Sequence, residues 1–425
     1  MEESCQLDDL HITTNREGSR EFAKVSYPVR YGRYSEIRTT DYLFQFNLNG
    51  EIKFIHGLGK TWPDPLEWLK RTEGNDWIYY STGGYSGAYD SFGEYYLPCP
   101  SYVTNAIYVN DPFDDKAVSS AITAWEELQE RIRQMALGSF PAHIKEFLVL
   151  AGTNGPDKLE ARSRTLHELI GGRITVLPPD TRHVDYEVIP LIVADGCLYR
   201  CGFCRIKSQQ DFSTRTRQNI MGQIQDLKAF YGHDIRNYNS IFLGNHDALN
   251  AGTELLVFAA ETAYEIFDLG SSNVNGANMF LFGSVDSILN ADNAFFDALK
   301  GLPYKTYINI GLESADQTTL KAIGKPITSL MVEQAFARLL EINKIYENIE
   351  ITANFLFGDH LPPGHLPSFI KLTEKRLSIP YSKGAIYFSP LVNSGSKQNR
   401  GMLRKFYKVK AISPLPTYLY LIQRL

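Results

Sequence analysis

The chain is poor in cysteine, with five in 425 residues. So few thiols over such a length make a weak disulfide framework, which sets aside the stapled secreted scaffolds. It also lacks any run of about 18 apolar residues, so no segment is expected to span a membrane. The opening stretch, MEESCQLDDL, is acidic and has no basic-then-apolar order of a secretory signal. With thiols kept reduced, these features point to the cytoplasm. An excess of positive charge is missing too. A net charge of -5 supplies no general attraction to phosphate backbones, which counts against nucleic acid as a partner. What remains is a globular composition, 44% apolar and 21% charged, long enough for a large barrel plus an accessory region.

Two regions and a tail can be read along the chain. Residues 1–180 carry no repeat and form an α+β accessory region. In it, Leu43 to Leu48 and Glu51 to His56 read as a hairpin around Asn49-Gly50, a pair that tolerates positive φ. Lys116 to Met135 places Val118, Ile122, Trp125, Leu128, Ile132 and Met135 at helical spacing. An aromatic run (Trp77, Tyr79, Tyr80, Tyr85, Tyr89, Tyr95, Tyr96) either lines a pocket or is the core of a β-rich region. Residues 181–390 instead alternate apolar strands with amphipathic helices. The strands are EVIPLIVADG, YNSIFLG, NMFLFGS, YINIGLES, IEITANFLFG and GAIYFSP. Parallel neighbours need long crossovers, so this pattern predicts an α/β fold, a partial (β/α)6 barrel with its chemistry at the C-terminal strand ends. Residues 391–425 are left as an unassigned C-terminal extension.

Three of the five cysteines fall within eight residues, in ADGCLYRCGFCRIK, directly after the first of these strands. Cys197, Cys201 and Cys204 can hold three irons of a [4Fe-4S] cubane, since thiolates are its usual ligands. A fourth cysteine is missing nearby, which leaves one iron open to an outside ligand. Gly196 and Gly202 let the backbone bend around the inorganic core, and Phe203 shields it from water. The competing reading is a zinc site completed by His183 or His246, but neither histidine stands at finger or ribbon spacing. Cys5 and Cys99 read as ordinary thiols.

The motif CxxxCx-aromatic-C after the first strand of a partial barrel resembles the radical S-adenosylmethionine (radical SAM) superfamily. The likeness covers about residues 186 to 390 and leans to the branch of Elongator-like enzymes and anaerobic coproporphyrinogen oxidases. It implies that S-adenosylmethionine chelates the open iron and is cleaved to methionine and a 5′-deoxyadenosyl radical. By the same resemblance, the turn Gly244-Asn245-His246-Asp247 takes the place of a Gly-Gly-Glu-like element that meets the amino group. Gly244, Asn245 and Asp247 are therefore candidate contacts, with a helix N-cap as the plain alternative. Glu313, in Gly311-Leu312-Glu313-Ser314, is similar to an element that reaches the ribose or methionine. Lys325 falls where a basic residue meets the carboxylate, or is a solvated lysine at a helix end. Asn354, in Asn354-Phe-Leu-Phe-Gly358, stands where ribose hydroxyls are held. Tyr387 and Phe388 end the sixth strand, either beside adenine or in the core, and Arg215 and Arg217 face the ligands or the surface.

The expected partners are a small-molecule or peptide substrate and a reduced donor of the flavodoxin or ferredoxin type. No cysteine follows Cys204 and no DxHxxG loop precedes it, which disfavours auxiliary clusters and cobalamin. Gly57-Leu58-Gly59-Lys60 is too short for a phosphate loop. The alternatives are a haem-binding chaperone-like relative and an RNA-modifying radical SAM enzyme.

Overall fold

Strands whose residues alternate between an apolar and a polar side form a sheet that packs on one face, and the first hundred residues do this. The computed structural model describes residues 2–22, 29–83, 86–94, 96–99, 111–174, 176–204, 211–376, 383–391, 399–420 and 424–425. Eight antiparallel strands, from Glu3–Leu7 to Leu97–Cys99, follow one another in chain order. Ile12, Ile37, Phe44, Phe46, Ile52 and Ile55 form one core with the helices Lys116–Met135, Ala142–Thr153 and Pro156–Ile170. The first of these has the bounds that its periodicity predicts.

The hairpin pairs Tyr42–Phe46 with Ile52–Gly57, but its turn is longer than two residues. Asn47 Oδ1 accepts from the backbone N–H groups of Asn49 (3.0 Å) and Glu51 (2.9 Å), an Asx closure that draws Asn47 into the loop. Only Gly50 takes a positive φ (+75°), while Asn49 donates to Tyr231 O across the interface. The aromatic run belongs to the sheet: Tyr79 sits in the core and Tyr80 stacks on Trp68 at 5.0 Å. Tyr85 and Tyr95 lie outside the described residues.

The second sheet is all parallel and runs in sequence order. Its strands are β1 (Ile189–Leu191), β2 (Ser240–Leu243), β3 (Asn278–Gly283), β4 (Lys305–Glu313), β5 (Ile349–Phe357), β6 (Ile386–Pro390) and β7 (Thr417–Leu419). The helices between them are α1 (Arg217–Tyr231), α2 (Thr253–Phe267), α3 (Val285–Asn290), α4 (Asn293–Lys300), α5 (Gln317–Ala322), α6 (Ser329–Ile345), α7 (His365–Arg376) and α8 (Asn399–Ile412). Burial on both faces explains why these strands read as near-continuous apolar runs. The chain is thus an α/β protein with a partial-barrel topology and an antiparallel accessory sheet. The six expected strands are joined by a seventh: the tail left unassigned supplies α8 and β7, which pairs parallel with β6. No helix among the described residues is long and apolar enough to cross a membrane.

Candidate active site

The loop after β1 is held at three points. Gly196 adopts a φ of +76°, a conformation that other residues rarely take. Gly202 donates its N–H to Ile323 O (2.9 Å), and a Cβ there would stand 3.2 Å from that oxygen. Tyr199 donates to Asp286 Oδ2 and accepts from the Asp286 N–H (3.0 Å), which ties the loop to the first turn of α3. Cys197, Cys201, Phe203 and Cys204 all line one cavity of about 520 Å³. Burial pushes the Cys201 thiol up to about 11 and raises that of Cys197, so thiolates here need a bound cation. Among the described residues no three His, Cys, Asp or Glu converge on a single-ion site. Thiolates that serve one iron each of a cubane do not have to. His183 stacks on Tyr307 and is not among the cavity's lining, whereas His246 is.

The strand ends bring the other candidates to the same cavity. Asn245, Asp247, Glu313, Lys325 and Asn354 all line it. Gly244 takes the turn itself, with a φ of +76° and its N–H on Leu191 O (2.8 Å). Asp247 does not cap its own short helix. Its Oδ1 accepts from Ser284 N (2.9 Å) and Ser287 Oγ (2.9 Å), at the start of α3. Its Oδ2 is buried with no hydrogen-bond partner among the described residues. Burial raises the Asp247 carboxyl above its ordinary value despite the serine donors. An anionic oxygen enclosed this way costs stability unless a cation or a donor meets it.

Lys325 is no solvated lysine, being 7% exposed. Its Nζ donates to Gly311 O (2.7 Å), lies 3.5 Å from Glu313 Oε1 and stands over the Tyr199 ring at 5.1 Å. Burial raises the Glu313 carboxyl and Lys325 opposes the rise. Glu313 has a φ of +65° at a β-bulge, a strained conformation that re-aims its side chain into the cavity. Asn354 Nδ2 donates to Glu313 Oε2 (3.4 Å), and Ser389 Oγ donates to Asn354 Oδ1 (2.9 Å). The chain Ser389, Asn354, Glu313, Lys325 thus joins the ends of β6, β5 and β4 to the segment after α5.

Other expectations fall differently. Phe388 packs in the core against Phe355, Phe357 and Phe369, and Tyr387 turns to Asp180 and Arg182, so neither lines the cavity. Arg215 is held bidentate by Asp195 (2.7 and 2.8 Å) and Arg217 faces Glu254 (3.4 Å). Sequence reading missed Tyr199, Asp286, Asn309, Ser389 and Tyr420. Ser389 and Asn309 had a signal: both are polar residues in otherwise apolar strands.

Residues 191–371 match the family model of the Radical SAM superfamily. No curated protein matches the chain. Solved structures similar to it include the radical SAM methyltransferase TsrM from Kitasatospora setae, at 14% identity over 48% of this chain and 35% of that one, with a TM-score of 0.34. Coproporphyrinogen III oxidase (HemN) from Escherichia coli is similar at 12% identity over 53% and 52%, with a TM-score of 0.36. Methylornithine synthase (PylB) follows at 10% over 67% and 77%, with a TM-score of 0.35. The chain thus spans about a third of the length of TsrM. Scores this low leave the chemistry to rest on the family match and on the chain's own residues. With CxxxCxxC after β1 and that match across β1 to β5, residues 191–371 carry a domain of the Radical SAM superfamily.

Proposed function

We propose that the cavity holds a [4Fe-4S] cluster on Cys197, Cys201 and Cys204, with S-adenosylmethionine beside it, and acts on an unidentified small molecule or peptide. One observation carries this reading: three thiols from one loop and the side chains of Asp247, Glu313, Lys325 and Asn354 converge on a single cavity. The donor set suits both groups. Three half-buried or buried thiols of one loop lining one cavity are the usual thiolate ligand set of such a cluster, whose iron would balance their charge. Asp247 Oδ2 is a buried anionic oxygen ready for the ammonium of the methionine moiety, a charge-assisted bond. Lys325 keeps a hydrogen for the carboxylate, and Asn245 stands at the same turn to position it. Glu313 and Asn354 present an acceptor and a donor to a ribose diol. Phe203 covers the cluster side and excludes water.

When bound, the two groups supply one-electron cleavage of the C5′–S bond, giving methionine and a 5′-deoxyadenosyl radical that takes hydrogen from the substrate. The chain's own residues bind, orient and desolvate. A reduced protein of the flavodoxin or ferredoxin type would bring the electron, and residues 1–180 would limit what reaches the cavity. The test is anaerobic reconstitution with iron and sulfide, then reduction with S-adenosylmethionine and chromatography for 5′-deoxyadenosine. Cluster absorbance and 5′-deoxyadenosine are expected from the native chain and neither from Cys201→Ala. Glu313→Ala should keep the cluster and weaken S-adenosylmethionine binding. A full cluster spectrum in Cys201→Ala, or haem binding without any cleavage, would overturn the reading.

A further inference from the structure

Two inward steps along β4 from Glu313, Asn309 lines the same cavity and plays no part in the contacts assigned so far. It is 2% exposed. Its Nδ2 donates to Thr352 Oγ1 (2.9 Å) on β5, and Thr352 Oγ1 donates to Asp180 Oδ2 (2.6 Å). Asp180 is fully buried on the short turn Pro179–Val184, which packs against β4. The other carboxyl oxygen accepts from Tyr387 Oη (2.9 Å), which in turn accepts from Arg182 Nε (2.9 Å).

The direction of this chain follows from donor arithmetic. An ionised carboxylate only accepts, so both hydroxyls must point their protons at Asp180. With its proton spent, Thr352 Oγ1 can only accept from Asn309, which therefore offers it the amide N–H. The Asn309 carbonyl oxygen is left over, with no hydrogen-bond partner among the described residues. We infer that Asn309 reads the substrate as a hydrogen-bond acceptor, and that Thr352 and Asp180 hold it in that orientation.

This rests on the cavity being the substrate site proposed above, and it names the substrate's chemistry. The cavity that Asn309 lines also presents the apolar side chains of Val176, Phe282, Leu356 and Leu391 and the ring of Tyr420, beside the polar groups already assigned at the strand ends. Lys325 is the only lysine or arginine in that lining; Gly311 O and Glu313 engage it, and its remaining hydrogen is the one assigned above to the S-adenosylmethionine carboxylate. Burial also depresses the His246 imidazole, which leaves it neutral at pH 7. With Asp247 assigned above to the S-adenosylmethionine ammonium and Glu313 paired with Lys325, neither a cation nor a carboxylate of the lining is left for the substrate, so the group that enters is an uncharged O–H or N–H donor. A site built around a buried acceptor rejects analogues that lack the donor.

The relay has a built-in check. Burial lifts the Asp180 carboxyl to about 6, against Thr352, Arg182 and Tyr387; Glu350 raises it further, and Tyr307 and Tyr420 also feel its charge. Once protonated, Asp180 can donate to Thr352, whose own proton then turns to Asn309 and reverses the amide.

The experiment is nuclear magnetic resonance of the full chain labelled with 15N-asparagine, with Asn309→Asp identifying the side-chain signal. From pH 5 to 8 that signal should shift with a midpoint near 6 in the native chain and in Thr352→Ser. Thr352→Val and Asp180→Asn should both abolish the shift. A pH-independent signal, or a shift that survives in Thr352→Val, overturns the relay. Phenol and anisole then serve as matched neutral probes at pH 7.5. Phenol should perturb the Asn309 signal at about five-fold lower concentration, the worth of one neutral hydrogen bond. An equal response, or none to either, overturns the substrate-reading role. Neither arm needs the cluster or S-adenosylmethionine, so failure here is separable from failure of the proposed function.

Discussion

Two places in this molecule bury charge, and they treat it in opposite ways. Between the antiparallel sheet and the barrel, Lys53 Nζ meets Glu73 Oε1 (2.7 Å) and Glu187 Oε2 (3.0 Å), and Lys70 Nζ meets Glu187 Oε1 (2.6 Å). Arg162 closes on Glu51 (2.5 Å) beside them, and Asp234 accepts from Leu48 N (3.1 Å) and from Asn237 Nδ2 (2.7 Å). Each of these charges has a partner from another element, and Lys53, Lys70 and Asp234 reach across the interface. In the cavity, Asp247 is fixed by one oxygen and bare at the other. A buried ion set that is fully paired specifies how two parts sit together, whereas one left open is a demand for a ligand.

Breaking the paired region should have the larger effect. Lys53→Met leaves Glu73 and Glu187 buried without their shared cation, an expected loss of about 3–5 kcal/mol in urea unfolding. Affinity for S-adenosylmethionine per folded molecule should stay unchanged; a variant as stable as the native chain would remove the network from the interface. Asp247→Asn should do the reverse. It keeps an oxygen for Ser284 and Ser287 but loses the charge, so S-adenosylmethionine binding by calorimetry should weaken by about 10- to 100-fold. Its apoprotein should be at least as stable as the native one, since an unpaired buried charge is gone.

The smallest effect is a slope. Burial lifts Asp234 from its ordinary 3.8 to about 7, so its proton is bound in the folded state and released in the unfolded one between those values. Its contribution is fully present below about 3.8 and is lost as pH rises through about 7. Lys53 holds Glu73 down at about 2, which works oppositely: that stability is present above 4.5 and lost only as pH falls through about 2. Between pH 4 and 7, Asp234→Asn should therefore change the pH dependence of unfolding by at most about 1.4 kcal/mol per pH unit, the native chain gaining relative to it on acidification. Parallel stability curves for the two proteins would place the Asp234 proton elsewhere.

Much of the barrel was legible because its signals are local. Thr253–Phe267 and Ser329–Ile345 form helices between the strands, as the alternation predicts, and each apolar run became a strand. The seventh strand escaped because Thr417–Leu419 is three residues long and gains its identity only from pairing with β6. Tyr387 and Phe388 were left open between the adenine and the core for a related reason. Which neighbours an aromatic meets depends on the strands and helices packed around it, and Phe388 finds Phe355 and Phe369.

Sequence by itself determined the cysteine loop, the alternation that builds the parallel sheet and the candidate at each strand end, since spacing and period are properties of a short stretch. Tertiary structure decided what those candidates do. Asp247 meets Ser284 and Ser287 nearly forty positions away, Lys325 is buried against Gly311 and Glu313, and Asp180 reaches Thr352 across more than 170. Hydrogen bonds and desolvation act over a few ångströms of space, whatever the distance along the chain, so only the folded molecule could assign them.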